Sequence, residues 1–167
     1  MAELKIWTTR QRFKVAALPK RVYELVADIE GWPSVFDSIA AVEPLGTDRV
    51  CERFRIVERS GDSWISVREA NQKRLQVRYR RLEPPAPLKS MAGLWRVETK
   101  AVGVVVALDH YFSVADDSQE TAAEAARQIT AVGTAMLESL RRTAEFGAVS
   151  HLLRSGPDSA ASEREAS

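Results

Sequence analysis

The chain has 167 residues, of which 45% are hydrophobic and 28% are charged, and its formal net charge is +1. This length suits one domain whose core can enclose a ligand, and the near-neutral charge argues against a nucleic-acid partner. The single cysteine excludes an internal disulfide and a metal site built on cysteine. The first 15 residues contain no apolar run of the kind a signal peptide has, and the longest run, VGVVVAL, is too short to span a bilayer. We therefore expect a cytoplasmic protein without a membrane partner.

The chain is predicted to open with a strand and a short helix. Residues 5–17 form the strand. Pro19 suits the first turn of the following helix, where apolar residues recur at helical spacing as far as Val26. Gly31 and Pro33 end this helix.

Six short segments of alternating polarity come next. Turn sequences such as LGTD and RSGD separate them, so we expect an antiparallel meander. The proline-rich link EPPAPLKSM is predicted to be a stiff loop instead of a strand. The predicted strands are 39–45, 50–58, 63–70, 74–82, 93–101 and 103–114.

A long helix is predicted to close the domain, which spans 1–154. Asp117 and Glu120 are typical of a capping pair, and apolar residues such as Met136 then recur at steps of three and four. The remaining residues, 155–167, are small and polar and are predicted to form a disordered tail.

This order of elements predicts an α+β fold. A long amphipathic helix cannot bury its apolar stripe alone, and a curved sheet wrapped around it leaves a cavity between the two. Gly133 and Gly147 occupy helix positions where alanine would be more stable by about 1 kcal/mol each. They either permit close packing or leave room for a ligand, and we favour close packing.

The segment SWISVRE leaves open which face of its strand is buried. Trp64, Ser66 and Arg68 share one face, whereas Ile65 and Val67 share the other. The strand alone favours Ile65 and Val67 as the inward pair, because an inward arginine without a ligand or partner is costly.

Four motifs resemble those of the bacterial type II polyketide aromatase/cyclases, which have the START-like or helix-grip fold. ADIEGWPSVF is similar to the segment after their first helix, and LDHYF to their Leu-x-His-Asp-Phe motif. WISVRE resembles their Trp-x-Ser-x-Arg strand, and PPAPLKSMAGLWRV resembles their loop ending in Met-x-Gly-x-Trp. The resemblance covers about residues 8–150, and it implies a sheet of about seven strands around the C-terminal helix.

The resemblance also implies a set of site residues. It turns the face with Arg68 inward, where the guanidinium would hold a ketone oxygen and stabilise an enolate or alkoxide. Ser66 and His110 would move protons, although His110 could instead be a satisfied sheet histidine or a pocket wall. The implied substrate-binding residues, whose tryptophans could equally be core packing, are Trp32, Phe36, Trp64, Met91, Trp95 and Met136.

Two residues of the long helix have alternative interpretations. Glu145 aligns loosely with an acidic pocket residue of some relatives, but we expect it to be a solvent-facing charge. His151 is expected to help cap the end of the helix.

The activity implied is aldol cyclisation and dehydration of a poly-β-ketone held on an acyl carrier protein, without cofactor or metal. Polyketide synthase components would be further partners. The alternatives are a non-catalytic START-like carrier of a quinone or lipid, and a structural subunit that steers a synthase complex. A carrier predicts an almost wholly apolar cavity, whereas a cyclase predicts Arg68 together with convergent polar groups.

Overall fold

The computed structural model describes the backbone of residues 5–154 and the side chains of residues 5–146. The predicted tail over 155–167 lies outside the described residues. The elements are β1 Trp7–Val15, α1 Pro19–Ala27, a 3-10 turn Ile29–Ser34, β2 Ile39–Asp48, β3 Cys51–Glu58, β4 Ser63–Asn71, β5 Gln76–Leu82, β6 Leu88–Lys100, β7 Gly103–Val114 and α2 Gln119–Arg154.

The seven strands form one antiparallel sheet in the order β1-β7-β6-β5-β4-β3-β2. The six later strands are a meander, because each strand from β3 to β7 is paired with the one before it. The first strand returns to pair with the last, with Phe13 opposite Val106. The predicted α+β architecture of a sheet and a long C-terminal helix is therefore confirmed.

One predicted loop is in part a strand. β6 begins at Leu88, inside the segment expected to be a stiff loop, and pairs there with Val114. Proline lacks the N–H that a ladder needs, but Pro87 is the last proline of the segment. The residues after it are free to pair, so the strand extends further back than the proline content suggested.

The start of α2 also differs from the prediction. Ser118 Oγ accepts a hydrogen bond from the N–H of Thr121 over 3.4 Å, which makes Ser118 the N-cap residue. Asp116 Oδ1 in turn accepts from the N–H of Ser118 over 3.0 Å. Asp117, with φ of 50°, lies in the left-handed region before the cap. The predicted capping pair of Asp117 and Glu120 is therefore wrong.

Helix α2 packs closely on β1 through one polar side chain. Gln11 Nε2 donates to the backbone oxygen of Thr130 over 3.1 Å and to Thr134 Oγ1 over 2.6 Å. A Cβ atom at Gly133 would collide with Gln11 Oε1. Close packing of α2 on β1 thus explains the glycine at position 133. The surroundings of Gly147, the second glycine in question, lie outside the described range.

Neither helix of the described part of the chain has the length and hydrophobicity that a bilayer crossing requires.

Candidate active site

Residues paired in register form one row across the face of the sheet that turns toward the helices. Arg68 on β4 lies opposite Tyr79 on β5, and Tyr79 lies opposite Gly93 on β6. Gly93 is opposite His110 on β7, which is opposite Thr9 on β1. Side chains opposite each other in adjacent strands share a face, so this row brings several polar groups together inside the domain.

A cavity of about 200 Å³ lies between this face and α2. The sheet contributes four polar lining residues from three strands, and two more come from outside it. The six are Glu58 on β3, Tyr79 and Arg81 on β5, His110 on β7, Ser38 before β2 and Gln128 on α2. The apolar wall includes five residues predicted to bind substrate, which are Trp32, Trp64, Met91, Trp95 and Met136. The cavity therefore combines an aromatic wall with convergent polar groups.

Phe36, the sixth predicted substrate-binding residue, stands behind this wall. Its ring packs edge-on against Trp32 with centroids 5.0 Å apart, and lies 6.1 Å from Trp95. It is only 1% exposed and belongs to the hydrophobic core. Phe36 therefore packs against two cavity tryptophans without lining the cavity, and its contact with a substrate stays a prediction.

Arg68 points inward but also lies behind the cavity wall. Its Nη2 donates to the backbone oxygen of Val26 over 2.8 Å, and its guanidinium lies 5.3 Å from the centroid of the Trp32 ring. Val26 is in the last turn of α1, where carbonyl groups lack partners within the helix. Arg68 is therefore not among the residues that line the cavity, because this helix end engages it, and its contact with a substrate stays a prediction. Ser66, 2% exposed, is buried beside it and does not line the cavity either.

The charge of Arg68 is retained despite its burial. Loss of water lowers the pKa of Arg68 to about 10, and Glu52, Tyr23 and Asp28 partly oppose this change. The guanidinium is therefore still positive at neutral pH. Its Nη1 has no hydrogen-bond partner among the residues that the structure describes.

Arg81 is the arginine that lines the cavity, and sequence reasoning missed it. Its guanidinium lies 4.9 Å from the centroid of the Trp64 ring, and its buried Nε has no partner within the described chain. Burial lowers the pKa of Arg81, and Glu58, Tyr79 and Asp62 oppose that change. The alternation of β5 holds the missed signal, because Val77 and Tyr79 predict that Arg81, two residues on, also faces inward.

His110 is a neutral imidazole in the cavity wall. It is 4% exposed, and its Nδ1 has no hydrogen-bond partner within the described part of the structure. Burial lowers the pKa of His110 to about 4, and the nearby carboxylate of Asp109 only partly opposes this change. The ring is therefore unprotonated at neutral pH.

The Met-x-Gly-x-Trp motif has a steric explanation in Tyr79, a second residue that sequence reasoning missed. Met91 and Trp95 line the cavity from β6, and Gly93 between them faces the same way. A Cβ atom at Gly93 would lie 2.6 Å from Tyr79 Cζ and 2.7 Å from its hydroxyl oxygen. Glycine therefore leaves the space over β6 in which the Tyr79 ring lies.

Glu145 on α2 forms a hydrogen bond with the backbone just after β1. Its Oε1 accepts a hydrogen bond from the backbone N–H of Ala16 over 2.9 Å. Glu145 remains partly exposed and is not part of the cavity lining, which agrees with the expectation of a solvent-facing charge. His151 lies outside the described side chains. Within the described range, no three side chains of His, Cys, Asp or Glu are grouped as a metal site would require.

Comparison with known proteins places these features in a family. The profile of the family described as "Polyketide cyclase / dehydrase and lipid transport" matches residues 7–145. The actinorhodin polyketide synthase bifunctional cyclase/dehydratase of Streptomyces coelicolor is 35% identical over 63% of this chain and 34% of its own length. The granaticin polyketide synthase bifunctional cyclase/dehydratase of Streptomyces violaceoruber is 34% identical over 80% of this chain and 42% of its own length. The chain thus spans less than half the length of these two relatives.

Solved structures with the same architecture include aromatase/cyclases. The di-domain ARO/CYC BexL superposes with a TM-score of 0.74 at 24% identity, over 81% of this chain and 45% of BexL. The Zhui aromatase/cyclase from Streptomyces gives a TM-score of 0.66 at 24% identity, over 83% of this chain and 96% of Zhui. At this identity the likeness establishes the shared helix-grip fold. With the profile match over most of its length, the chain belongs to the polyketide cyclase/dehydrase and lipid transport family.

Proposed function

We propose that this domain is a polyketide aromatase/cyclase, which directs aldol closure and dehydration of a poly-β-ketone carried by an acyl carrier protein. The observation that carries the proposal is the mixed lining of the cavity. Aromatic side chains surround Arg81, His110 and Tyr79, which converge on one space. The two relatives named as cyclase/dehydratases of polyketide synthases support the same class of reaction.

Each part of the lining has a role in this reaction. The tryptophan wall holds the flexible chain so that one methylene meets one ketone, which is a proximity effect. The guanidinium of Arg81 holds the ketone oxygen and stabilises the negative charge that develops on it. Neutral His110 takes a proton from a methylene between two carbonyls, whose acidity is already high.

The chemistry balances without a redox partner. The methylene C–H bond breaks, its proton goes to His110, and the enolate carbon forms a bond to the ketone carbon. The ketone oxygen becomes an alkoxide and is protonated to a hydroxyl group. That hydroxyl then leaves as water with a second proton from the neighbouring carbon, which gives the double bond needed for an aromatic ring.

Arg68 has a positioning role in this proposal instead of contact with the substrate. Val26 O accepts hydrogen bonds from both Arg68 Nη2 and Trp32 Nε1, over 2.8 Å and 3.1 Å. Arg68 therefore holds a cavity tryptophan and the end of α1 together. Ser66, two residues before Arg68 on β4, is opposite Arg81 on β5.

The alternative is a carrier of a hydrophobic small molecule, because the family description also includes lipid transport. An apolar cargo would leave the Nε of Arg81 and the Nδ1 of His110 dry and without partners, which is costly. A ligand with several carbonyl oxygens would give these groups partners. The polar lining therefore favours the cyclase over the carrier.

Product profiling with a reconstituted minimal polyketide synthase tests the proposal. Adding this protein should convert a mixture of shunt products into one aromatic ring. Arg81→Met should lower the yield of that ring about 10-fold to 100-fold, because the oxyanion loses a charged donor. Arg80→Met is the matched control, since Arg80 lies on the opposite, exposed face of β5. If the wild-type protein leaves the mixture unchanged for several chain lengths, the cyclase proposal fails, and bound hydrophobic ligand should be sought by mass spectrometry.

A further inference from the structure

Tyr79 presents a hydroxyl group that the roles above leave unused. Its ring lies in the cavity wall, with its centroid 6.3 Å from that of Trp64 and 6.2 Å from that of His110. The hydroxyl makes no hydrogen bond to any residue in the described range. A phenol in a largely apolar wall usually finds a partner, so this hydroxyl is available to a ligand in the cavity.

The ring of Tyr79 occupies space that Gly93 leaves open. Gly93 is directly opposite Tyr79, and any side chain there would overlap the ring. Because glycine leaves this space open, the ring lies over β6 and reaches toward His110 on the next strand. The two rings meet edge to face with an interplanar angle of 82°. The phenol ring and a neutral imidazole thus border the same part of the cavity.

We propose that Tyr79 is a catalytic residue, which donates its hydroxyl proton to the ketone oxygen under attack while His110 takes the methylene proton. This inference rests on the proposed cyclase function. Arg81 is two residues along β5 and faces the same side as Tyr79. The two donors therefore suit one oxygen, in the manner of an oxyanion hole with one charged and one neutral member.

The proton transfers return both residues to their starting state. The methylene proton moves to His110, the enolate carbon bonds to the ketone carbon, and the carbonyl electron pair moves to oxygen. That oxygen takes the proton of Tyr79, and the tyrosinate recovers a proton from the imidazolium. The hydroxyketone has the same formula as the open chain. Burial raises the pKa of Tyr79 above its ordinary value, so the hydroxyl keeps its proton at neutral pH until an alkoxide forms.

Tyr79→Phe tests this role, because it removes only the oxygen and keeps the ring that packs over Gly93. The measured quantity is the ratio of ring-closed to shunt products as the concentration of the protein is raised in the minimal synthase assay. We expect the plateau of this ratio to fall about 10-fold to 100-fold. The half-saturating protein concentration should stay within about twofold, since the aromatic wall is intact. Circular dichroism and the melting temperature should match the wild type.

Tyr111→Phe is the matched control. Tyr111 is next to His110 on β7 but lies on the other face of the sheet, opposite Ala92 and Thr8. The control loses the same oxygen outside the cavity and should leave the product ratio unchanged. If Tyr79→Phe reaches the same plateau ratio of ring-closed to shunt products as the wild type, the inference is overturned and the cyclase proposal stands. A raised half-saturating concentration with an unchanged plateau would overturn it as well, because Tyr79 would then only bind substrate. An inactive wild-type protein would overturn both proposals.

Discussion

Arg68 on β4 and Trp32 in the 3-10 turn donate hydrogen bonds to the same acceptor, the backbone oxygen of Val26. The distances are 2.8 Å from Arg68 Nη2 and 3.1 Å from Trp32 Nε1. The Trp32 ring also lies under the guanidinium, with 5.3 Å between its centroid and Cζ. One carbonyl at the end of α1 therefore joins the sheet to a tryptophan of the cavity wall. Because of this arrangement, a loss of activity in an Arg68 variant does not by itself identify a catalytic arginine.

Variants of Arg68 should therefore differ in stability. Arg68→Ala should lower the free energy of unfolding by about 2–4 kcal/mol, because it leaves a cavity and removes a donor from Val26 O. Arg68→Met should cost less than half as much, since methionine fills the space and a buried charge no longer has to be desolvated. Urea denaturation measures both values. Equal stability of wild type and Arg68→Ala would show that Arg68 does not hold the end of α1.

The contact between Gly133 and Gln11 predicts that Gly133→Ala destabilises the wild-type protein but stabilises a variant that lacks the Gln11 side chain. Gly133→Ala gains about 1 kcal/mol of helix propensity, but its Cβ displaces the Gln11 side chain from Thr130 O and Thr134 Oγ1. Each lost hydrogen bond costs about 0.5–1.5 kcal/mol, so the single variant should be destabilised by about 1 kcal/mol.

In a Gln11→Ala background the collision disappears and only the propensity remains. Gly133→Ala should then stabilise the protein by about 1 kcal/mol. The double-mutant cycle, measured by urea denaturation, isolates the coupling between the two positions. The same sign for Gly133→Ala in both backgrounds would mean that the helix shifts instead of the glutamine.

Periodicity in the sequence was sufficient to predict most of the fold. Strand alternation placed β7 at 103–114, as observed, because both features depend on local chain geometry. The errors occurred where a single tertiary or backbone contact determines the residue at which an element begins. β6 starts at Leu88 because pairing with Val114 is available there. The start of α2 depends on the hydrogen bonds of Asp116 and Ser118, which several nearby acidic and hydroxyl residues could equally have made.

The site was harder to predict because two arginines share one face of the sheet. Arg68 is opposite Tyr79, and Arg81 is opposite Ser66, so both guanidinium groups project from neighbouring positions on the same side. Which of the two lines the cavity depends on where α1 ends. Arg68 donates a hydrogen bond to Val26 O at that end, whereas the Nε of Arg81 has no partner within the described residues. No local pattern in β4 or β5 contains that information.

The N-cap of α2 supplies a further prediction. Ser118→Ala should lower the free energy of unfolding by about 1 kcal/mol, because the N–H of Thr121 loses its acceptor. Glu120→Gln should cost less than half of that, since the charge of Glu120 contributes only through the helix dipole. Thermal unfolding compares the two. A larger effect of Glu120→Gln would restore the capping pair that the sequence suggested.

The buried imidazole of His110 predicts how stability depends on pH. Its pKa in the folded protein is about 4, below the ordinary value of 6.5 that applies to the unfolded chain. Between these two values the unfolded chain binds a proton at this site and the folded protein does not. The free energy of unfolding should therefore fall as the pH is lowered from 6.5 toward 4, and this contribution should level off below 4.

A comparison of His110→Gln with the wild type isolates this contribution from that of the carboxylates. Between pH 7 and pH 4.5 the wild type should lose about 2 kcal/mol more than His110→Gln. Urea denaturation at the two pH values gives the difference. If His110→Gln loses as much as the wild type, His110 is open to water in the folded protein, and its protonation would then change with pH over the range from 5 to 8.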